Sequence, residues 1–497
     1  MECEYTLIYP GPLVRLRAKP RTILTRLRIS EIIHPPLHSR FTSPQPPQMA
    51  AKSYTILPTA ERAGYYQKSR RPNYKKLAAG IALVIATIGL LYKPAIHHYE
   101  RIYQQSSSRT HSVEERARTI LSTTPLIDGH VDFPLVLRGY YGNHLDGDSF
   151  SGPFEDGTLK GHVDLARLRA GHSGGAFWSV FAPCPKNGTD FSDANYADSL
   201  QFTLQEIDIM KRVFAAYPND FAPDVDGSDA ISAFRAGKLI SPLGVEGLHQ
   251  IANLAGNLRL FRDLGVRYAT LTHNCHNKFA DAALLESPLR EAPPAWNGLS
   301  DDGRRLVHEM NRIGMIVDLA HVSENTMVDV LGGKSWEGSK APIIFSHSSA
   351  HSICPHPRNV KDHVLQLVKK TNSVVMVNIA PQFISCVESD NEYGLPADDP
   401  DNATLEKVAD HITYIGNLIG YDYVGIGTDF DGIGSVPKGL EDVSKYPDLI
   451  AELLRRGVSD VDAAKIVGGN VIRVWKEVDA VSARLKANGA PIMEDKL

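Results

Sequence analysis

Eight short apolar runs, separated by stretches of helical period, constrain this chain more than any other feature. They are Pro125–Ile127, Ala176–Phe181, Leu239–Val245, Val266–Leu271, Met315–Leu319, Ile343–Phe345, Val374–Val377 and Val424–Ile426. Between them lie amphipathic segments such as Leu200–Phe214, Gln250–Leu264, Gly303–Ile313, Leu405–Leu418 and Leu449–Arg455. That alternation is the pattern of repeated β-α units. Runs with no polar alternation suit parallel strands buried on both faces. Eight units in about 385 residues predict an α/β fold, a closed (β/α)8 TIM-like barrel with insertions. A doubly wound open sheet is the alternative that strand count leaves standing.

The residues that follow these runs carry the chemistry. The first run leads into Asp128-Gly129-His130-Val131-Asp132, the third into Glu246 and the fourth into His273. The fifth leads into His321, the sixth into His347 and the eighth into Asp429. In a barrel those strand ends meet on one face, where catalytic groups gather. His, Asp and Glu are ligands suited to zinc and similar divalent ions. On an extended strand, His130 and Asp132 fall on the same side because side chains alternate with period two. His162-Val163-Asp164 has the same spacing but reads as a loop entering a helix. Glu246 offers two oxygens that can be shared between two ions. That joins His130 and Asp132 on one ion with His321 and His347 on the other. Two ions about 3.5–4 Å apart polarise a carbonyl and hold a hydroxide at neutral pH, so metal-assisted hydrolysis is the expected reaction class.

Charge divides the chain. Of 53 Lys and Arg against 57 Asp and Glu, residues 1–76 hold fourteen basic and four acidic side chains, a net +10 that leaves −14 on the remainder. An acidic body argues against a nucleic-acid partner. The change of sign falls at Leu77–Tyr92, sixteen uncharged residues bracketed by Lys75, Lys76 and Lys93. We expect a single transmembrane signal anchor over 76–93, extended at its short ends by snorkelling lysines. The basic, Pro-containing residues 1–75 are then a disordered cytosolic head, 94–112 a stalk, and 113–497 the barrel, placed luminally or extracellularly by the positive-inside rule. Cys184, Cys275, Cys354 and Cys386 all lie beyond the span, and four cysteines allow three pairings. Asn187-Gly188-Thr189 and Asn402-Ala403-Thr404 are glycosylation acceptors if the chain is exported.

Taken together, these blocks resemble the membrane dipeptidase (renal dipeptidase) family, zinc peptidases of the amidohydrolase-like barrels. The resemblance runs from about Val113 to Ala480. It rests on Leu126-Ile127-Asp128-Gly129-His130-Val131-Asp132, Gly244-Val245-Glu246-Gly247, Leu271-Thr272-His273-Asn274-Cys275 and Asp318-Leu319-Ala320-His321-Val322-Ser323. Phe345-Ser346-His347-Ser348-Ser349-Ala350, Arg358-Asn359-Val360 and Gly427-Thr428-Asp429-Phe430-Asp431-Gly432 complete it. What it implies is hydrolysis of dipeptides (L-aminoacyl amino acids) by a hydroxide between two Zn2+ ions. His130 and Asp132 would hold one ion, His321 and His347 the other, with Glu246 bridging. His273 would bind substrate and polarise the oxyanion, Arg358 would meet the substrate carboxylate, and Asp429 would move protons. The resemblance also implies the disulfides Cys184–Cys275 and Cys354–Cys386, and a homodimer. A related amidohydrolase acting on a lactam, cyclic amide or Cys-Gly conjugate is the alternative. Two positions depart from the family's usual pattern: Thr428 stands where glycine is common, and Phe383 where animal members carry tyrosine.

Overall fold

The computed structural model describes residues 111–145, 147 and 149–495. The basic head, the apolar segment at 77–92 and the stalk up to residue 110 lie outside the described residues. Among the described residues no helix is long and apolar enough to cross a membrane.

Each apolar run contributes a strand. They are β1 (Leu126–Val131), β2 (Ser173–Val180), β3 (Leu243–Glu246), β4 (Val266–Thr270), β5 (Ile316–Asp318), β6 (Ile344–Phe345), β7 (Val374–Val377) and β8 (Val424–Ile426). Every strand pairs in parallel with the next. The result is a mixed α/β fold whose parallel sheet curls in the TIM-like manner. It curls far enough for the end of β1 to meet the segment that follows β8. Val131 forms a parallel bridge with Phe430, and Asp429 N donates to His130 O at 3.0 Å.

Three local expectations change. The run Leu239–Val245 divides at Ser241-Pro242, because proline brings no N–H to the ladder. Leu239–Ile240 pairs with the start of β2 and with Phe221–Ala222, while β3 pairs with the end of β2. The segment Gln250–Leu264 breaks into a 3-10 turn, Leu248–Ile251, and a helix, Ala255–Asp263, because Ala252 and Asn253 take left-handed backbone at φ 47° and 62°. β1 outruns its apolar run by four residues, since the buried polar side chains of Asp128 and His130 find partners inside the fold. Other helices start where their caps dictate. Ser300 Oγ accepts from Gly303 N at 3.0 Å ahead of Asp301–Ile313, and Thr404 Oγ1 accepts from Lys407 N at 3.3 Å ahead of Leu405–Ile419.

The inner face of the sheet explains why one end is left for chemistry. Ile127, Ile316, Ile344 and Val374, at or next to the strand starts, and Phe177, just past the middle of β2, pack with Val474, Trp475 and Val478 of the helix Asn470–Ala487. Phe177 and Trp475 lie 5.4 Å apart between ring centroids. Apolar side chains thus fill the end where the strands begin. Tyr268, further along β4, occupies space opened by Gly244. A Cβ on Gly244 would fall 2.2 Å from Tyr268 Cζ, so only glycine lets the phenol cross the interior.

Candidate active site

Polar groups collect at the opposite end, where the strands finish. His130 is fully buried, and its Nδ1 hydrogen-bonds Tyr268 Oη at 2.7 Å. Its Nε2 faces Asp132 Oδ2 at 3.2 Å, Glu246 Oε1 at 3.5 Å and Asp429 Oδ1 at 3.9 Å. The convergence of His130 and Asp132 is not that of one extended strand, as their spacing suggested. β1 stops at Val131, and Asp132 turns into the following helix at φ −89°, ψ 37°. His162-Val163-Asp164 behaves as expected of a helix entry: Asp164 caps Leu165–Ala170 by accepting from Arg167 N at 2.8 Å.

Hydrogen-bond bookkeeping fixes the tautomers of the next two histidines. Asn274 donates its Nδ2 to Glu286 Oε1 at 3.3 Å, so its Oδ1 accepts from His321 Nδ1 at 2.9 Å. Ser346 Oγ donates to Asp318 Oδ2 at 2.7 Å and therefore accepts from His347 Nδ1 at 2.8 Å. Both rings carry their proton on Nδ1, which leaves two Nε2 lone pairs facing each other at 3.0 Å. Burial, with Arg358 close by, holds both imidazoles well below their usual pKa, so neither supplies a proton to relieve that contact. Glu246 Oε1 stands 2.9 Å from His321 Nε2 and 3.5 Å from His347 Nε2.

This arrangement asks for cations. His130 Nε2 and Asp132 Oδ1 are buried without a hydrogen-bond partner among the described residues. Three carboxylates crowd the same pocket, and burial raises the pKa of Glu246 and pushes that of Asp429 well up, against the attraction of His130. Setting aside the disulfide-bonded cysteines, donor atoms within 4.8 Å of one another form three sets among the described residues: His130 with Asp132 and Asp429, His130 with Glu246 and His347, and Glu246 with His273 and His321. Glu246 belongs to two of the three. Nitrogen and carboxylate donors of this kind match zinc or a similar divalent ion.

The remaining expected residues line the same pocket. The His273 ring lies 4.4 Å from the His321 ring and tilted 37° to it, with Nδ1 3.5 Å from Glu286 Oε1 and 3.7 Å from Cys184 Sγ. Burial holds His273 well below its usual pKa, so it stands as a neutral imidazole. Arg358 is 3% exposed, donates Nη2 to His347 O at 3.5 Å and sits 5.0 Å above the Phe383 ring. Its Nε finds no partner among the described residues. Burial lowers its pKa to about 10, opposed by Asp429 and Glu246, so it remains a cation. Asp429 Oδ2 accepts from Asn378 Nδ2 at 3.2 Å. Two disulfides fasten the surrounding loops. Cys184–Cys275 ties the loop after β2 to that after β4 beside His273, and Cys354–Cys386 ties those after β6 and β7 beside Arg358 and Phe383.

Tyr268, Asn274, Asp318, Ser346 and Asn378 support the site, and none was assigned a role from sequence. Asn274, Asp318 and Ser346 stand inside the family-like blocks, and the signal all five share is a polar side chain in or beside a buried strand. Asp318 shows the type: it ends β5, inside an apolar run, yet accepts from Ser346 N at 2.7 Å and Ala320 N at 3.1 Å.

Residues 114–489 match the sequence profile of the membrane dipeptidase family, peptidase family M19. The chain is 46% identical over 368 residues to dipeptidase tcpJ of Claviceps purpurea, covering 74% of this chain and 80% of that protein. It is 44% identical over 378 residues to dipeptidase aclJ of Aspergillus oryzae, covering 76% and 83%. In fold it is similar to the crystal structure of a metallo peptidase from Rhodobacter sphaeroides liganded with a phosphinate mimic of the dipeptide L-Ala-D-Ala. That likeness has a TM-score of 0.58 at 24% identity, over 72% of this chain and 99% of the other. The donor cluster thus sits in a chain that belongs to the membrane dipeptidase family of metal-dependent peptidases, and the protein is a peptide-bond hydrolase.

Proposed function

We propose that this chain is a zinc-dependent exopeptidase that cleaves dipeptides of the L-aminoacyl amino acid type. The observation that carries this reading is the pair of facing Nε2 lone pairs on His321 and His347, capped by Glu246 Oε1. His130 and Asp132 would hold one ion, His321 and His347 a second, and Glu246 would be shared. Bound there, the ions would polarise the scissile carbonyl and lower the pKa of a water to near neutrality. Arg358 binds the substrate carboxylate, since a buried guanidinium with spare donors reads that group. Such a contact explains a preference for substrates ending one residue beyond the cleaved bond. His273, neutral and beside His321, orients the carbonyl oxygen. Asp429 takes a proton from the attacking water on Oδ1 and returns it to the leaving amine, while Asn378 steadies Oδ2.

The same reading extends to architecture and placement. We take the curled sheet as a closed (β/α)8 barrel, and the chain as held by the apolar segment at 77–92 with its head in the cytosol. Two disulfides favour an oxidising lumen or exterior for the catalytic part, as do exposed acceptors at Asn187 and Asn402. A homodimer follows from the family's habit. The test is elemental analysis of the purified protein together with turnover of dipeptides, N-blocked dipeptides and cyclic amides. Two zinc ions per chain and turnover confined to free dipeptides are expected. Preferred hydrolysis of cyclic amides would overturn the substrate assignment.

A further inference from the structure

Asp429 and Asp431 hold left-handed backbone, at φ 65° and 69°. A non-glycine residue in that region keeps its conformation only where its surroundings over-determine it. Here the surroundings can be named. Asp128, fully buried in β1, accepts four hydrogen bonds. Its Oδ1 takes Thr428 N at 2.9 Å and His130 N at 3.1 Å, and its Oδ2 takes Thr428 Oγ1 at 2.6 Å and Tyr446 Oη at 2.6 Å. One carboxylate therefore grips, at two atoms, the residue preceding Asp429, and also the backbone of His130 across the junction of β1 and β8. Beside it run the backbone bonds Asp429 N to His130 O at 3.0 Å and Asp132 N to Phe430 O at 2.9 Å. Tyr446 opens the helix Tyr446–Arg455, so its hydroxyl ties an outer helix to the same point.

We propose that Asp128, Thr428 and Tyr446 form a positioning brace that sets the aim of the Asp429 carboxylate relative to His130. None of the three touches substrate; they act through the turn that carries Asp429. The Thr428 hydroxyl gives this chain a grip that glycine at the same position would lack. The proposal rests on the reading of Asp429 as the proton-transfer group.

The test compares Thr428→Val, Tyr446→Phe and Thr428→Ser in the full chain, with Asp429→Asn as control. It reads kcat, KM, metal bound per chain and thermal midpoint. Misaiming a reacting group by about an ångström costs up to roughly 100-fold, so Thr428→Val and Tyr446→Phe should lose about 10- to 100-fold in kcat with KM nearly unchanged. Metal content should match the parent, and Thr428→Ser should restore kcat. A lowered thermal midpoint with undiminished kcat would make the network merely structural and overturn the brace. Loss of metal in step with kcat would overturn it too, by showing that ligation rather than aim had failed. Asp429→Asn separates the two readings. Full turnover in that variant removes the proton-transfer role itself, whereas a dead control beside an active Thr428→Val removes only the brace.

Discussion

Arg358→Met is the perturbation whose outcome the structure most sharply constrains. Arg358 is buried, its Nε is unpartnered among the described residues, and its Nη2 donates a long 3.5 Å hydrogen bond to His347 O. A substrate carboxylate would supply the partner it lacks. A hydrogen bond to a charged group contributes about 1.5–3 kcal/mol. Taking about 2 kcal/mol for a contact that shares the cation with Asp429 and Glu246, a free carboxylate should be favoured over its neutral amide by roughly 30-fold in kcat/KM. The assay is kcat/KM for one dipeptide and for its C-terminal amide, on the parent and on the variant. Removing the cation also leaves Asp429 and Glu246 less compensated, which slows both substrates, so the ratio between them isolates the carboxylate contact. In Arg358→Met that ratio should collapse to near one. A variant that still discriminates acid from amide as the parent does would refute the assignment, however far its absolute rate had dropped.

Other perturbations test the scaffold of the site. Glu246→Ala removes the oxygen that lies within 2.9–3.5 Å of three imidazole nitrogens. Elemental analysis should find fewer than two ions per chain after dialysis, and two tightly held ions would exclude bridging. Gly244→Ala drives a Cβ to 2.2 Å from Tyr268 Cζ. Overpacking of that kind costs about 1–3 kcal/mol, to be read as a lower thermal midpoint. Because Tyr268 also holds His130 Nδ1, metal affinity should fall with it. A variant equal to the parent in both measurements would show that the interior has room the geometry denies.

Much of this was legible before any coordinate. β7 and β8 coincide with their apolar runs residue for residue, because a strand buried on both faces is apolar throughout and shows its limits in composition. The ligand-type residues stood out because His, Asp and Glu are costly to bury without partners, so their recurrence after apolar runs is informative. Where a single residue broke a pattern, prediction failed locally. Pro242 split a run by lacking a donor, and Ala252 and Asn253 ended a helix by adopting a conformation that periodicity does not register.

The supporting residues are a different matter. Tyr268 lies 138 positions from His130, and Asp128 lies 300 from Thr428. Whether such groups meet depends on how far the sheet curls and on the register of each pair, quantities summed over the whole chain. Residue type and spacing, which are local, were enough to announce a β-α repeat with ligating side chains at the strand ends. Curl and register together decided that two imidazole lone pairs would face each other over one glutamate oxygen, and that a buried aspartate would join the first strand to the turn after the last.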